Sequence, residues 1–418
     1  MYMISPAATV PIAAPLPLAQ TGAASAIFAA AGLLLPHLER GECIDAPKLR
    51  SAMEAAFGAS DAAGAWDWKQ AYDACEAATV LFLRKYGKAL FRKAASPALR
   101  LSALSKIAGL MPTHTRRSEE AQTFQQFSTP IPLGLVAATA AAITPADRVL
   151  EPSAGTGLLA ILAEMAGASL VLNELAETRA ALLSCLFPAV SASRFDAAQI
   201  DDYLDPGAVP SVVLMNPPFS VMANVEGRMA DAAWRHIASA LARLAPGGRL
   251  VTITGANFAP EHPAWTSAFA RLQERGRVIF SAAIDGSAYA KHGTAFPTRL
   301  TVIDRVPAGD PTVFAAALGV APDAATLLEW VSEHVPARLP VAVPAVANPT
   351  SFPAAPRIVR GYLARGEGTT PRVAIADPEA VELAYAVVDW HAVEDDRISD
   401  AIYENYSLQA IRIPGAQP

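Results

Sequence analysis

Between Thr21 and about Leu110, apolar residues recur at steps of three and four, the spacing that lines one face of a helix. The pattern is clearest in Leu33–Leu38, Leu49–Phe57, Tyr72–Phe82 and Leu99–Leu110, with breaks at Pro36, Pro47, Gly58, Gly64 and Pro97. After Pro112 it gives way to short apolar runs at Arg148–Leu150, Leu170–Leu172, Ser211–Met215, Arg249–Thr254, Val278–Ala283 and Arg299–Arg305. Alanine-rich helical stretches fill most intervals. Strands alternating with helices predict an α/β layered sheet, parallel at least through its first half. The last two runs, joined by a loop carrying Gly286 and Gly293, predict an antiparallel edge. A further helix is expected at Ala324–Glu333.

These patterns divide the 418 residues into a Pro/Ala-rich flexible arm (1–20), a helical domain (21–118) and an α/β domain (119–310). A helical extension (311–339), a semi-rigid Pro-rich linker (340–356) and an acidic segment (357–418) complete the expected organisation. Composition agrees: 52% hydrophobic residues exclude a disordered chain, and only 7% are aromatic, so alanine and leucine carry the hydrophobicity and favour helix. The longest apolar stretch, Ala23–Leu35, is shorter than a bilayer span and is expected to be a buried helix closed by Pro36. No positive n-region marks a secretory signal. Cys43, Cys75 and Cys185 are too widely spaced for a disulfide framework or a cysteine zinc site, and the histidines show no metal-ligand spacing. A cytoplasmic protein without membrane association or bound metal is the expectation.

The net charge of −6 discourages a nucleic-acid role until its distribution is considered. Nine of the 33 basic residues, Arg84, Lys85, Lys88, Arg92, Lys93, Arg100, Lys106, Arg116 and Arg117, fall within 34 positions that hold no acid. Residues 357–418 carry ten acids against six arginines, so most of the negative excess sits there. The field near residues 84–117 is positive, which suits a phosphate backbone as well as it suits an ordinary solvated helix face.

The strongest chemical signal is Val149-Leu150-Glu151-Pro152-Ser153-Ala154-Gly155-Thr156-Gly157, a strand end, an acid, a small-residue turn and then a helix. Glycine lets the backbone approach a ligand, and the helix that follows offers unpaired N–H groups. Taken alone, such a turn serves a dinucleotide, another nucleotide or only a tight βα connection. Glu174 follows Gly155 by 19 residues, placed to accept both hydroxyls of a ribose. Asp196 comes 22 residues later, and Asn216-Pro217-Pro218-Phe219 another 20 after that. The near-equal steps put four polar groups at one carboxyl edge of the sheet. Two prolines fix a rigid turn, so the Asn216 side-chain oxygen and the Pro217 carbonyl can both accept from one planar NH2 group. Phe219 offers a stacking face for a planar base.

Glu151–Gly157 with Asn216–Phe219 resemble the cofactor and catalytic motifs of class I S-adenosylmethionine-dependent methyltransferases acting on planar amino groups. Phe124–Pro130 is similar to the F-x-T-P motif of adenine-N6 DNA methyltransferases, including type I modification subunits, which also place a helical domain before it. This resemblance covers about residues 120–305. A longer one is to bacterial strawberry-notch-type proteins of plasmids and phages. It rests on Ala65–Trp68, Thr115–Glu119, Gln125–Pro130, Leu214–Ser220, His292–Thr294, Thr298–Thr301 and Tyr403–Tyr406. In that family a methyltransferase-like region precedes a superfamily 2 helicase. The chain has no G-x-x-x-x-G-K-[ST] loop and stops where the helicase would begin, so it reads as a fragment whose acidic segment is a connector.

The resemblance implies a Rossmann-like class I methyltransferase domain at 119–310 and S-adenosyl-L-methionine as cofactor. It implies that Phe127, Thr129, Pro130, Glu151, Ala154, Gly155 and Gly157 surround the cofactor's methionine part. Glu174 would hold its ribose, and Asp196 with Ala197 its adenine. Asn216, which also borders the cofactor, would hold the target together with Pro217, Pro218 and Phe219. The implied reaction is methyl transfer to the N6 amine of adenine in DNA, with a helicase as possible partner. RNA adenine or a protein glutamine amide presents the same planar NH2, and a catalytically quiet nucleic-acid-binding module is the reading from another class. Arg116, Arg117, Lys85, Lys88, Arg92 and Lys93 are candidate phosphate contacts, and His292 a candidate substrate contact. Trp66 and Trp68 are expected to be core anchors.

Overall fold

The computed structural model describes residues 22–115, 128–218, 221–222, 228–229 and 232–341. The expected arm, most of the linker, the acidic segment, and Arg116, Arg117, Phe127 and Phe219 lie outside the described residues.

Four helices come first: α1 (Gly22–Glu39), α2 (Ala46–Phe57), α3 (Trp68–Lys93) and α4 (Pro97–Leu110). α1 does not close at Pro36, as its sequence suggested. The proline lacks an N–H, but its carbonyl still accepts from the Arg40 N–H at 3.2 Å, and the helix runs to Glu39. Pro47 and Pro97 are not breaks either. Each stands in the first turn of its helix, where the missing N–H would have had no partner, behind an Asp45 or Ser96 cap. Asp67 and Gln70 close a reciprocal capping box on α3. α1 is long and apolar enough, by length and composition alone, to cross a membrane. Its Ile27, Leu34 and Leu38 are instead fully buried, and it packs on α2 and α3.

The sheet has strands β1 (Arg148–Glu151), β2 (Ser169–Asn173), β3 (Ala192–Ser193), β4 (Val212–Met215), β5 (Arg249–Gly255), β6 (Arg277–Ile284), β7 (Thr298–Asp304) and β8 (Val320–Ala321). Their spatial order is β8-β6-β7-β5-β4-β1-β2-β3. The run 3-2-1-4-5 is that of a doubly wound, Rossmann-like sheet, as expected from the sequence. β7 is antiparallel to both β5 and β6, so β6 points the same way as β5, and β8 adds a parallel strand beyond it. The expected antiparallel pair therefore exists on that side of the sheet, with its reversed strand β7 third from the edge, inside β8 and β6. β3 and β8 escaped prediction because two residues cannot show an alternation.

Along β1 and β4, successive side chains point to opposite faces. Val149, Val212 and Leu214 join the larger apolar core, and Leu150, Val213 and Met215 the smaller one on the other side of the sheet. Both faces are thus covered, as a parallel sheet requires. The larger core also takes in Ile27 of α1, Phe82 of α3 and Leu183 of the helix Glu177–Leu186, so the helical region and the sheet share one interior. Arg249 of β5 faces Asp304 of β7 directly across the ladder, at 2.7 and 3.1 Å, with both side chains almost wholly buried. The same guanidinium reaches the carbonyls of Ala140 and Pro336, tying the C-terminal helix segment to the sheet.

Helices α5 (Ile131–Ala141), α6 (Ala160–Met165), α7 (Glu177–Leu186), α8 (Ala232–Arg243), α9 (Thr266–Gln273) and α10 (Ala324–His334) cover the sheet faces. The helix expected at Ala324–Glu333 is α10.

Candidate active site

β1 ends in Glu151 and β4 in Met215, and these neighbouring strands bracket the point where the strand order reverses. Ligands of doubly wound sheets lie in the crevice outside the carboxyl ends at that point. The loop after β1 turns tightly there because Gly155 (φ 56°) and Gly157 (φ 85°) adopt the left-handed region. A side chain on Gly157 would run into the Phe187 ring, whereas one on Gly155 would meet nothing nearer than Arg179 at 3.9 Å. Gly157 thus serves close packing, and Gly155 the turn itself.

Glu174 fixes this loop. Its carboxylate accepts the Gly155 N–H and, through the other oxygen, the Ala176 N–H, both at 2.8 Å. Asn173, to which the sequence reading gave no role, joins three loops. Its amide donates to the Pro152 and Phe195 carbonyls at 2.8 and 2.9 Å, and its oxygen accepts from the Phe195 N–H and the Ser193 hydroxyl. Asp196 caps the short 3-10 turn at Ala197–Gln199 through the Ala198 N–H.

The described residues enclose a cleft of about 330 Å³. Of the residues singled out in the sequence, Thr129, Glu151, Ala154, Gly155, Glu174, Asp196, Ala197, Asn216 and Pro218 line it. Pro130, Gly157 and Pro217 do not: Pro130 starts α5, Gly157 is turned into the core, and Pro217 is buried behind the turn. Arg235 and His236, at the start of α8, line it without having been predicted. No local sequence signal marked them, since their helix reaches the cleft only through the fold.

Glu151 is 3% exposed, and burial, reinforced by the charge of Glu174, pushes its carboxyl well above the usual range. Its Oε2 has no hydrogen-bond partner among the described residues. A buried carboxylate in this state is waiting for a cation or a donor. Burial also pushes His236 down, so it faces the cleft as a neutral imidazole.

At the other end of the cleft, the Asn216 NH2 donates to the Thr129 hydroxyl at 3.0 Å and to the Tyr289 hydroxyl at 3.4 Å. Thr129 comes from the segment before α5 and Tyr289 from the 3-10 helix Gly286–His292. Both amide hydrogens are thereby directed to hydroxyls of the protein. Tyr289 is fully buried, and burial raises its hydroxyl's pKa, keeping it neutral. Its identity as the partner of Asn216, 73 residues away, could not be read from the chain.

The candidate nucleic-acid residues do not gather here. Lys85 pairs with Glu39 at 3.1 Å and Arg84 with Glu164 at 2.7 Å. Lys88 and Arg92 are exposed, and neither they nor Lys93 line the cleft. Lys88 lies twelve residues, about 18 Å along the axis, beyond Glu76, which is the point where α3 touches the glycine turn. His292 does not line the cleft either; it packs 5.0 Å from His114. Trp66 and Trp68 are core anchors, their N–H groups bonded to Ala59 and Asp61.

Several solved structures share parts of this architecture. TrmN from Thermus thermophilus is 20% identical, the match covering 45% of this chain and 52% of that one, with a TM-score of 0.33. The M protein of the type I restriction enzyme EcoKI is 19% identical over 44% of this chain and 45% of its own (TM-score 0.36). A Listeria monocytogenes protein described as a class I S-adenosylmethionine-dependent methyltransferase is 11% identical over 75% of this chain and 99% of its own (TM-score 0.42). The chain thus spans about half the length of the first two. At these identities and scores the likenesses bear on neither activity nor substrate. No protein-family model matches the chain, and no curated protein does.

Proposed function

We propose that this protein is an S-adenosyl-L-methionine-dependent methyltransferase that acts on the exocyclic N6 amine of adenine in DNA. The observation that carries the reading is the cleft at the switch point. A tight glycine turn, three acids at successive strand ends and an oriented Asn-Pro-Pro open onto one space.

The cleft fits that cofactor. Glu151 Oε2, buried without a partner among the described residues, suits the ammonium of the methionine part. Glu174, already held by two backbone N–H groups, keeps acceptor sites for ribose hydroxyls. Asp196, Ala197 and neutral His236 border the space left for a purine. When bound, the cofactor supplies an electrophilic methyl group.

The protein's own part is positional. An exocyclic amine is a weak nucleophile because its lone pair is delocalised into the ring. Asn216 Oδ1, accepting one of its hydrogens, favours the pyramidal nitrogen of the transition state. Thr129 and Tyr289 hold the Asn216 amide so that Oδ1 rather than NH2 meets the substrate. Pro217 and Pro218 keep the turn from relaxing into a helix. Holding the amine in line with the methyl supplies the rest of the advantage. In duplex DNA the base must leave the stack first, at a cost of a few kcal/mol.

The test is methyl transfer from labelled cofactor to DNA, RNA and protein, with products identified by mass spectrometry. N6-methyladenine in DNA, lost in Asn216→Ala, is the expected result. Transfer to RNA or to a glutamine amide instead would replace the substrate assignment. The reading fails if no acceptor is labelled, or if Asn216→Ala behaves like the parent chain.

A further inference from the structure

Behind the glycine turn, outside the cleft, lies a second cluster that the proposed reaction does not use. Glu76 of α3, His114 after α4 and His292 of the 3-10 helix Gly286–His292 bring one ligand atom each within 4.8 Å of one another. In a triangle of that size each corner is about 2.8 Å from the centre, so movements of under about 1 Å per side chain reach the 2.0–2.2 Å of zinc–nitrogen and zinc–oxygen bonds.

The three side chains are held as ligands are held. The His114 ring stacks on Tyr72 (3.9 Å between centroids, 12° between planes), and the Tyr72 hydroxyl accepts the Thr115 N–H at 3.1 Å. The His114 N–H donates to the Lys291 carbonyl at 2.7 Å, next in chain to His292. The Lys291 ammonium in turn holds the end of α4, donating to the carbonyls of Ala108, Gly109 and Met111. Gly293 sits so close to His114 that a Cβ there would stand 2.5 Å from its carbonyl oxygen. The two imidazoles are therefore fixed relative to each other by backbone contacts. Supports of this kind around a ligand set its orientation and its affinity.

Two independent observations point to a missing cation. His292 Nδ1 is sealed from solvent and has no hydrogen-bond partner among the described residues. Glu76 is buried beside buried Asp73, and Asp73 already takes Arg179 through bonds of 2.7 and 3.2 Å.

We propose that Glu76, His114 and His292 form a zinc site that fastens the helical region and the Gly286–His292 segment to the glycine turn. Two imidazoles and one carboxylate are a donor set suited to zinc, with a water in the fourth position. The ion acts on the turn through Glu76, whose other contact is the Thr156 hydroxyl at 2.6 Å, between Gly155 and Gly157. The proposal is independent of the methyltransferase reading, because its readouts are metal content and stability.

The full chain, stripped by a chelator and dialysed, is titrated with zinc by calorimetry and with cobalt(II) by visible absorption. One zinc per chain at micromolar affinity or tighter is expected, with the d–d spectrum of a four-coordinate cobalt site. Saturating zinc should raise Tm by about 3 °C, since ligand at ~100 times Kd shifts the folding equilibrium about 100-fold. His292→Ala and Glu76→Gln should each weaken binding at least about tenfold, while His334→Ala, at an exposed histidine, should not. Folded parent chain that takes up no zinc overturns the proposal without recourse to any variant. Zinc binding that survives unchanged in both His292→Ala and Glu76→Gln overturns it equally.

Discussion

Replacing Gly157 by alanine should destabilise the fold far more than the same change at Gly155, although both glycines have positive φ. At Gly155 the added methyl meets only the Arg179 guanidinium at 3.9 Å, so the cost is the left-handed backbone, about 1–2 kcal/mol. At Gly157 the methyl would overlap the Phe187 ring edge, with Phe187 Cζ at 2.9 Å and Leu183 Cδ2 at 3.2 Å. Phe187 has little room to retreat: it is 2% exposed and carries the Arg84 guanidinium 4.6 Å from its ring centre. Overpacking of this kind adds about 1–3 kcal/mol. The totals are about 1–2 kcal/mol for Gly155→Ala and about 2–5 kcal/mol for Gly157→Ala. In a chain of this size they lower Tm by about 1–2 °C and about 2–6 °C respectively. Thermal unfolding followed by circular dichroism measures both, and Gly157→Ala combined with Phe187→Leu should recover part of the loss. Equal shifts for the two single variants, or no recovery in the double, would refute the packing argument.

Other consequences are open to measurement. Glu151→Gln removes the charge proposed to meet the cofactor's ammonium and should weaken S-adenosylmethionine binding about 10–100-fold by calorimetry; an unchanged Kd would remove Glu151 from the site. Tyr289→Phe withdraws one of the two groups orienting Asn216, so kcat should fall about 3–10-fold with cofactor affinity unchanged. Asp304→Asn leaves Arg249 charged and incompletely paired in the core, at a cost of about 3–5 kcal/mol, whereas Arg249→Met with Asp304→Leu should be far less damaging. Asp147 is held down to about 2, against burial, by hydrogen bonds from Arg338, Ser211 and Thr144. Since its folded pKa lies below the unfolded value, that stabilisation is complete above about pH 4 and is lost as pH falls toward 2. Asp147→Asn should therefore flatten the acid limb of the stability profile, and an unaltered limb would contradict the assignment.

The local patterns that needed only the neighbouring residues were legible in the chain. The six longer strands, the glycine turn and the rigid Asn-Pro-Pro all depend on contacts within a few positions, and each lies where its sequence places it. Equal spacing of Glu151, Glu174, Asp196 and Asn216 sufficed to put them at one sheet edge, because each βα unit returns the chain to the same side. The prolines misled because a proline's effect depends on its position in the helix. Pro47 and Pro97 start helices, and Pro36 is tolerated near the end of one.

Only the tertiary structure could decide what a charged or polar side chain spends itself on. Arg84 and Lys85 look like part of a basic stripe in sequence, yet both are committed to acids on other helices. Tyr289 and Asn173 carry no local signal and still fix Asn216 and the loop after β1. Glu76, His114 and His292 are too far apart along the chain for any ligand-spacing rule to connect them, and they converge because α3, the end of α4 and the loop before β7 pack on one another. Periodicity and turn chemistry act over a few residues and are written in the sequence. Pairing across the fold depends on which surfaces the core brings together, and that is settled only when the core has formed.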